Sequence, residues 1–216
     1  MAIRPELLAR GPWDPEELEV DWRRDAFELA AHQVAEADIL LERLRERGSP
    51  SHDGLAARLA RFEVAGSVLR LELQPTRWAL RLLSDAGSSI SALCVVRSAD
   101  GDWLAGRRAG WVASWAGRWT LGAGGSVEVD ENPAHTLGRE LLEEWAVTPE
   151  RLQLEALVRL DNGMVLLIGQ AWLAPGADVQ PDAEHDDFAW WPAETARWPA
   201  EADEPLRTMA TMLGHA

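Results

Sequence analysis

Three glutamates stand close together in the second half of the chain, at a spacing that could serve metal chemistry. Glu140, Glu143 and Glu144 fall within five consecutive positions of the 216-residue sequence. In a helix, which turns about 100° per residue, their carboxylates would lie within an arc of roughly 100°. A cation would relieve their mutual repulsion, and Mg²⁺ is commonly held by one or two carboxylates together with substrate phosphates. An isolated acidic run is more often a solvated helix face, so the neighbouring positions must decide between the two interpretations.

The helix that would carry these glutamates is predicted to run from Pro133 to Trp145. Asn132 is a good N-cap, and a proline at the first helical position loses no hydrogen bond, because that N–H has no partner inside a helix. An apolar stripe recurs at spacings of three, four and four residues and is expected to face a sheet. Its members are Ala134, Leu137, Leu141 and Trp145.

The spacing around the glutamates resembles the signature of the Nudix hydrolases. That signature runs G, five residues, E, seven residues, R-E-U-x-E-E-x-G-U, where U is aliphatic. The matching positions are Gly125, Glu131, Arg139, Glu140, Leu141, Glu143, Glu144 and Val147. By chance, so many specified positions would coincide less often than about once in ten million starting points. Ala146 replaces the last glycine, so we expect a slightly altered helix exit there. The resemblance covers about residues 89–212.

The resemblance implies a metal-dependent hydrolase that cleaves the pyrophosphate of a nucleoside diphosphate linked to another moiety. It implies Mg²⁺ or Mn²⁺ as the cofactor and Glu131 paired with Arg139. The implied metal ligands are the side chains of Glu140, Glu143 and Glu144 and the carbonyl of Gly124. In relatives the general base comes from the signature itself or from a later loop, and the acidic loop around Glu184 makes that residue the favoured candidate.

Aromatic and basic residues before the signature are candidates for substrate binding. Flat aromatic rings can stack on a base or sugar, and arginine binds phosphate through two hydrogen bonds. These candidates are Trp115, Trp119, Arg107, Arg108 and Arg118. In a chain with 12 tryptophans, each one also has the simpler interpretation of a core or rim residue.

Composition limits the possible partners. The net charge of −15 argues against binding to a nucleic-acid duplex, which requires a basic face. A single cysteine, Cys94, fits a reducing compartment, and we find no apolar segment long enough for a signal peptide or a membrane span. We therefore expect a cytoplasmic protein without a membrane partner, whose substrate is a small nucleotide-type molecule.

The pattern of elements indicates a change of organisation near residue 88. Before it, we predict one long or two broken helices from Pro15 to about Arg47, a helical piece from about His52 to Arg61, and a hairpin around Gly66. After it, we predict hairpins at Asp100-Gly101 and at Asp161-Asn162-Gly163 and a closing helix over residues 204–213. The resulting class is α/β (α+β), with a Nudix-like mixed sheet between helices. Residues 89–216 would form the Nudix domain, and residues 1–88 a helical and β-hairpin extension that acts as a lid or forms a homodimer.

Competing interpretations remain at this stage. A dinucleotide-binding fold is disfavoured because the glycine run at residues 122–125 precedes a strand pattern rather than a helix. An isoprenyl-diphosphate isomerase, which shares the Nudix fold, resembles the chain less, since nothing around Cys94 matches its catalytic motif. A Nudix-fold sensing or partner-binding module with weak catalysis is the main alternative. Residues typical of relatives that act on ADP-ribose, diadenosine polyphosphates or NADH are missing downstream of the signature, which leaves the substrate open.

Overall fold

The computed structural model describes residues 5–50 and 53–214 as an α+β protein. Its strands are β1 (Glu6–Trp13), β2 (Glu19–Trp22), β3 (Leu55–Ala65), β4 (Val68–Arg77), β5 (Ile90–Arg97), β6 (Trp103–Arg108), β7 (Trp119–Leu121), β8 (Ala123–Ser126), β9 (Arg151–Arg159), β10 (Val165–Trp172) and β11 (His185–Trp191). Its α-helices are α1 (Ala31–Glu46), α2 (Pro133–Trp145) and α3 (Glu204–Leu213), and short 3-10 helices lie at Pro15–Glu17, Trp78–Leu82 and Thr195–Arg197.

A mixed sheet of eight strands forms the centre of the fold. Its main order is β1-β9-β10-β5-β6-β11, with β7 paired to β6 and β8 paired to β5. Strands β10 and β5 run parallel, whereas β9 and β10 form an antiparallel hairpin, as do β5 and β6. Gly101 and Gly163 adopt positive φ angles of 87° and 78° in the two connecting turns. The two hairpins predicted at these glycines are therefore confirmed.

Helices α2 and α3 cover opposite faces of this sheet. The predicted stripe of α2 is buried in one apolar cluster, which includes Leu137, Leu141 and Trp145. Leu206 and Leu213 of α3 are buried in a second cluster, together with tryptophans of the sheet and of the segment before α3. The predicted mixed sheet between helices is confirmed. None of the helices within the described residues is long and apolar enough to cross a bilayer.

The N-terminal region contains more strand than predicted. The helix expected from Pro15 to Arg47 begins only at Ala31, and Glu19–Trp22 is a strand that pairs with β4, so the first half of that prediction is wrong. The helix expected from His52 to Arg61 is also wrong over the described residues, where Leu55–Ala65 is strand β3; His52 itself lies outside them. Both segments contain good helix formers, but pairing with β4 overrides their intrinsic propensity.

The predicted hairpin around Gly66 is confirmed, since β3 and β4 pair along their length. With β2 they form a three-stranded sheet that packs into the same apolar cluster as α2, through Leu59 and Leu71 among others. Strand β1 pairs with β9 and so belongs to the large sheet. The boundary at residue 88 therefore falls within a shared core, and the division of the chain into two domains there stays a prediction.

Candidate active site

Helix α2 has the bounds that the sequence predicts, and its caps explain them. The Asn132 side chain accepts a hydrogen bond from the Ala134 N–H at 2.9 Å, and Pro133 occupies the first turn. At the other end Ala146 adopts the left-handed conformation, with φ 55° and ψ 30°, and its N–H donates to the Leu142 carbonyl at 3.0 Å. Glycine takes this conformation without steric cost, whereas alanine is strained by about 1–2 kcal/mol. Ala146 thus takes a conformation that favours glycine, at the cost of local strain, and the expected alteration of the helix exit stays a prediction.

The three glutamates of α2 lie in two different environments. Glu140 and Glu144 are buried, with 9% and 4% of their surface exposed, whereas the Glu143 side chain is 57% exposed. Residues four apart lie about 40° apart around a helix, so Glu140 and Glu144 share the side that turns toward the sheet. The acidic cluster is therefore not a solvated helix face.

Glycines of strand β8 make room for the buried carboxylates. A side-chain carbon added at Gly125 would overlap the Glu140 carboxylate. The N–H of Gly124 donates a hydrogen bond to Glu144 Oε1 at 3.1 Å. Strand β8 thus presents backbone to both carboxylates, and Gly125, the glycine of the signature, has a steric reason.

Arg139 connects the remaining acids of the signature. Its Nε and Nη2 donate to the two carboxylate oxygens of Glu131 at 2.9 and 3.1 Å, so the implied pair is present and is bidentate. Its Nη1 donates to Glu140 Oε1 at 2.8 Å and to Glu143 Oε2 at 3.1 Å. Its Nη2 also donates to the Ser126 carbonyl at 3.2 Å. One guanidinium therefore fixes the loop before α2 against the helix.

Arg108 connects Glu184, the favoured general base, with Glu144 of helix α2. Its Nη2 donates to Glu184 Oε2 at 2.7 Å, and its Nη1 donates to Glu144 Oε2 at 3.3 Å. The Ala109 N–H also donates to the Glu184 carbonyl at 2.7 Å, which anchors the loop that carries Glu184 to the end of β6. Two residues 40 positions apart in sequence thus meet on one arginine.

His185 is a neighbour of this pair to which the sequence assigned no role. Its ring is buried, and the ring centre lies 4.5 Å from that of Trp145. Gly106 leaves the space for this ring, since an added side-chain carbon at Gly106 would overlap both rings. Nδ1 lies 3.3 Å from Asp182 Oδ1, and Nε2 lies 3.6 Å from Glu144 Oε2. Burial lowers the pKa of His185, as does the positive charge of Arg108. A neutral imidazole therefore closes the inner side of the site.

Burial also changes the two inner carboxylates. It raises the pKa of Glu140 to about 7 and that of Glu144 to about 8, although Arg139 and Arg108 respectively oppose the shift. Both carboxylates are therefore costly to ionise even beside these arginines. A bound divalent ion would lower that cost because it would favour the charged form.

The donor atoms fit Mg²⁺ or Mn²⁺, which prefer oxygen ligands. The carboxylates of Glu140 and Glu144 and the backbone of Gly124 lie together, and the signature adds Glu143. Within residues 5–50 and 53–214, however, no group of three or more acidic, histidine or cysteine side chains is arranged to hold a metal ion. In this structure the carboxylates are bound to arginines: Glu140 and Glu143 accept hydrogen bonds from Arg139, and Glu144 accepts one from Arg108.

The other predicted substrate-binding residues lie away from these glutamates. Arg107 is exposed and, by strand alternation, points to the face opposite Arg108. Trp119 packs against Trp191 at 5.5 Å in the α3-side cluster, and Arg118 pairs with Asp203, the N-cap of α3. Trp115 carries the Arg118 guanidinium 4.7 Å above its ring. Of the five candidates, only Arg108 contacts a glutamate of the signature.

Two residues near the site could not be found from the sequence. Trp78 and Arg81 belong to the 3-10 helix that follows β4, and both donate side-chain hydrogen bonds to Ser126 Oγ, the first at 3.0 Å. Ser126 ends strand β8, directly after Gly125. No local motif marks Trp78 or Arg81, since they stand 48 and 45 positions before Ser126.

Comparison with known families and structures gives a consistent result. A family model described as "NUDIX domain" matches residues 87–211, which is more than half of the chain. A search of curated proteins found no match. Among solved structures, a MutT protein from Methanosarcina mazei Go1 is 24% identical, with 59% of this chain and 96% of that chain covered and a TM-score of 0.45.

Two further solved structures are similar to the chain over comparable shares of its length. A C. elegans Ap4A hydrolase, solved as a binary complex, is 19% identical, with 59% of this chain and 96% of that chain covered and a TM-score of 0.46. The NUDIX domain of Shewanella oneidensis NrtR, complexed with ADP ribose, is 24% identical, with 57% and 86% covered and a TM-score of 0.45.

Proposed function

The chain belongs to the Nudix family, and on that premise we propose that it is a metal-dependent hydrolase that cleaves the pyrophosphate of a nucleoside diphosphate linked to another moiety. The observation that carries the proposal is the burial of Glu140 and Glu144 against the glycines of β8. Burying two carboxylates in low-dielectric surroundings costs stability, so their placement indicates a functional reason. Their arrangement fits a site in which a metal cation lies between these carboxylates and a phosphate of the substrate.

The proposed metal is Mg²⁺ or Mn²⁺, held by Glu140, Glu143, Glu144 and the Gly124 carbonyl. When bound, it would activate water and neutralise charge on the phosphoryl oxygens. The chain's own residues prepare this site. Glu131 positions Arg139, and Arg139 orients Glu140 and Glu143. His185 and Trp145 exclude water from the inner side of Glu144.

Glu184 is the proposed general base. Its carboxylate is partly exposed, so water can reach it, and Arg108 holds Oε2 at 2.7 Å in a defined orientation. A base must stand within hydrogen-bond distance of the water that it deprotonates. Arg108 contacts both Glu184 and Glu144, a proposed metal ligand, and this shared contact supports Glu184 as the base.

A substrate panel tests the proposal. We expect the purified chain with Mg²⁺ or Mn²⁺ to hydrolyse at least one nucleoside triphosphate or nucleotide sugar, and Glu144→Gln to lower kcat at least about 100-fold because it removes one ligand charge. Glu204→Gln is the matched control, since Glu204 lies in the first turn of α3 on the opposite side of the sheet. If no substrate is turned over by the unaltered chain, the sensing or partner-binding module becomes the better explanation.

The same proposal extends to the setting of the protein. We propose a cytoplasmic enzyme for a small-molecule substrate, without a nucleic-acid duplex or a membrane as partner. For residues 1–88 we propose a role as a lid or in a homodimer. A fragment that begins near Ser88, remains monodisperse and is as active as the full chain would contradict both roles.

A further inference from the structure

The 3-10 helix Trp78–Leu82 lies outside the matched domain but is firmly held in the fold. The Trp78 N–H donates to the Gly54 carbonyl at 2.8 Å, and the Ala79 N–H donates to Asp53 Oδ1 at 3.3 Å. Ala79 and Leu80 are buried against helix α1 in a small apolar cluster. The side chains that this segment directs toward β8 therefore start from a rigid backbone.

Arg81 of this segment lies next to the signature glutamates. Its Nη1 hydrogen-bonds to Ser126 Oγ, and the preceding residue, Gly125, is the one whose backbone contacts the Glu140 carboxylate. Burial lowers the pKa of the Arg81 guanidinium, and the charges of Glu140 and Glu184 oppose that shift. The guanidinium is thus within electrostatic reach of both the proposed metal ligands and the proposed base.

Arg81 has fewer polar partners than the other two arginines of the site. Arg108 and Arg139 each form ion pairs with at least two carboxylates. Within the described part of the chain, Arg81 forms no such pair, and its Nε is buried without a hydrogen-bond partner. A buried donor without a partner is destabilising, and more so when the group is charged. An anion in the site would remove that cost.

Trp78 holds the guanidinium in place. Its Nε1 donates to the same Ser126 Oγ at 3.0 Å, and the Arg81 guanidinium stands 5.5 Å from the centre of its ring. The attraction between a cation and an aromatic face restricts the arginine further. A guanidinium fixed in place with an unpartnered Nε–H is suited to a phosphate, whose oxygens accept charge-assisted hydrogen bonds from arginine.

We propose that Arg81, supplied by the segment before the matched domain, binds a phosphate group of the diphosphate substrate, and that Trp78 is its positioning residue. This inference rests on the proposed function for the substrate class. It gives residues 1–88 a specific part in the site, because the only cation there without a carboxylate partner among the described residues comes from that region.

Binding of methylenediphosphonate, a diphosphate that resists hydrolysis, tests the inference directly. In isothermal titration calorimetry of the full chain with Mg²⁺, Arg81→Gln should weaken binding about tenfold or more, the loss expected for one or two charge-assisted hydrogen bonds. Arg70→Gln is the matched control, since Arg70 lies on β4 of the same region and pairs with Glu19 at the surface; it should bind as the unaltered chain does.

Arg81→Lys keeps the charge without the planar fork and should weaken binding by less than Arg81→Gln. If thermal unfolding shows that Arg81→Gln does not fold, Arg81→Lys replaces it in the test. Equal affinity of the lysine variant and the unaltered chain would then overturn the inference. Unchanged affinity in a folded Arg81→Gln protein overturns it as well. The measurement needs no turnover, so a chain that binds the diphosphonate through Arg81 and hydrolyses nothing would keep this inference and reject the proposed enzyme.

Discussion

The two faces of the large sheet are covered by helices that begin alike and enclose very different interiors. Both helices start with an Asx N-cap and an early proline, Asn132-Pro133 in α2 and Asp203 with Pro205 in α3. Behind α3, the rings of Trp103, Trp191 and Trp198 pack at centre distances of 5.1 to 5.6 Å. Behind α2, two carboxylates are buried and arginines approach them.

The difference lies in the sheet rather than in the helices. On the α2 side, the sheet presents Gly106 and Gly125, and an added side-chain carbon at either position would overlap a side chain of the site. On the α3 side, the sheet presents mainly tryptophan and aliphatic side chains. Gln170, which by strand alternation shares the face of Ile168, is buried as well and hydrogen-bonds to the buried Glu155 at 3.4 Å. At the α2 site, Gly106 and Gly125 leave the room that the polar side chains occupy.

Among the variants that compare the two faces, the largest effect is expected when that space is filled. Gly125→Ala should reduce kcat/KM at least about tenfold, because the methyl group would displace the Glu140 carboxylate. Gly138→Ala is the control within helix α2, since nothing lies within 4 Å of the added carbon and alanine favours the helix by roughly 0.5–1 kcal/mol. Steady-state kinetics and thermal unfolding of both variants measure the contrast. Equal activity of the Gly125→Ala and unaltered proteins would break the proposed link between glycine and carboxylate.

Adjacent arginines on β6 compare the two faces directly. Arg108→Gln should lower kcat/KM about tenfold or more, because Glu184 and Glu144 lose their shared partner. Arg107→Gln, one residue away and exposed on the other face, should change it by less than about twofold. The same kinetic assay measures both. A larger effect of Arg107→Gln than of Arg108→Gln would indicate that the substrate binds on the α3 side of the sheet.

The buried acids should make the metal-free protein sensitive to pH. The pKa of Glu140 is raised from 4.5 to about 7, and that of Glu144 from 4.5 to about 8. Between pH 4.5 and these raised values, the folded chain therefore binds more protons than the unfolded chain. The contribution of these two residues to stability is thus fully present below pH 4.5 and is lost as the pH rises through 7 and 8. Thermal unfolding in a chelator from pH 5 to 9 should show this decline. Glu140→Gln should reduce it and saturating Mg²⁺ should oppose it, and identical slopes for all three samples would show that these acids do not titrate as described.

The smallest effect concerns the two helix exits. Helix α2 ends at Ala146 with a positive φ of 55°, whereas α3 ends at Gly214 with φ −77°, a conformation that any residue accepts. Ala146→Gly should therefore stabilise the fold by about 1 kcal/mol and raise Tm by roughly 2–4 °C, without a change in kcat. Calorimetry would detect the shift, and a lower Tm would mean that the strain at this exit has been overestimated.

Elements whose signals are local could be predicted from the sequence. The limits of α2 follow from Asn132 and Pro133, and two hairpins follow from Gly101 and Gly163, because capping and turn chemistry act within a few residues. The part of strand β3 before Phe62 is predicted as helix because its alanines and arginines favour helix in isolation, and only its partner β4 changes the outcome.

The residues around the glutamates were harder to predict because their positions depend on packing. Strand alternation shows that Arg107 and Arg108 face opposite ways, but only the packed fold shows which one meets α2. Arg81 reaches Ser126 across 45 positions, through the packing of a 3-10 helix that has no signature of its own.

Strand β1 pairs with β9, and Glu6 forms an ion pair with Arg159 across 153 positions of sequence. During synthesis the first strand therefore has no partner until most of the chain has been made. The edge of β9 is in turn open to other chains until β1 reaches it. Closing so long a loop is entropically costly and makes such contacts form late, so we expect the last step of folding to join the beginning of the chain to the domain that carries the glutamates.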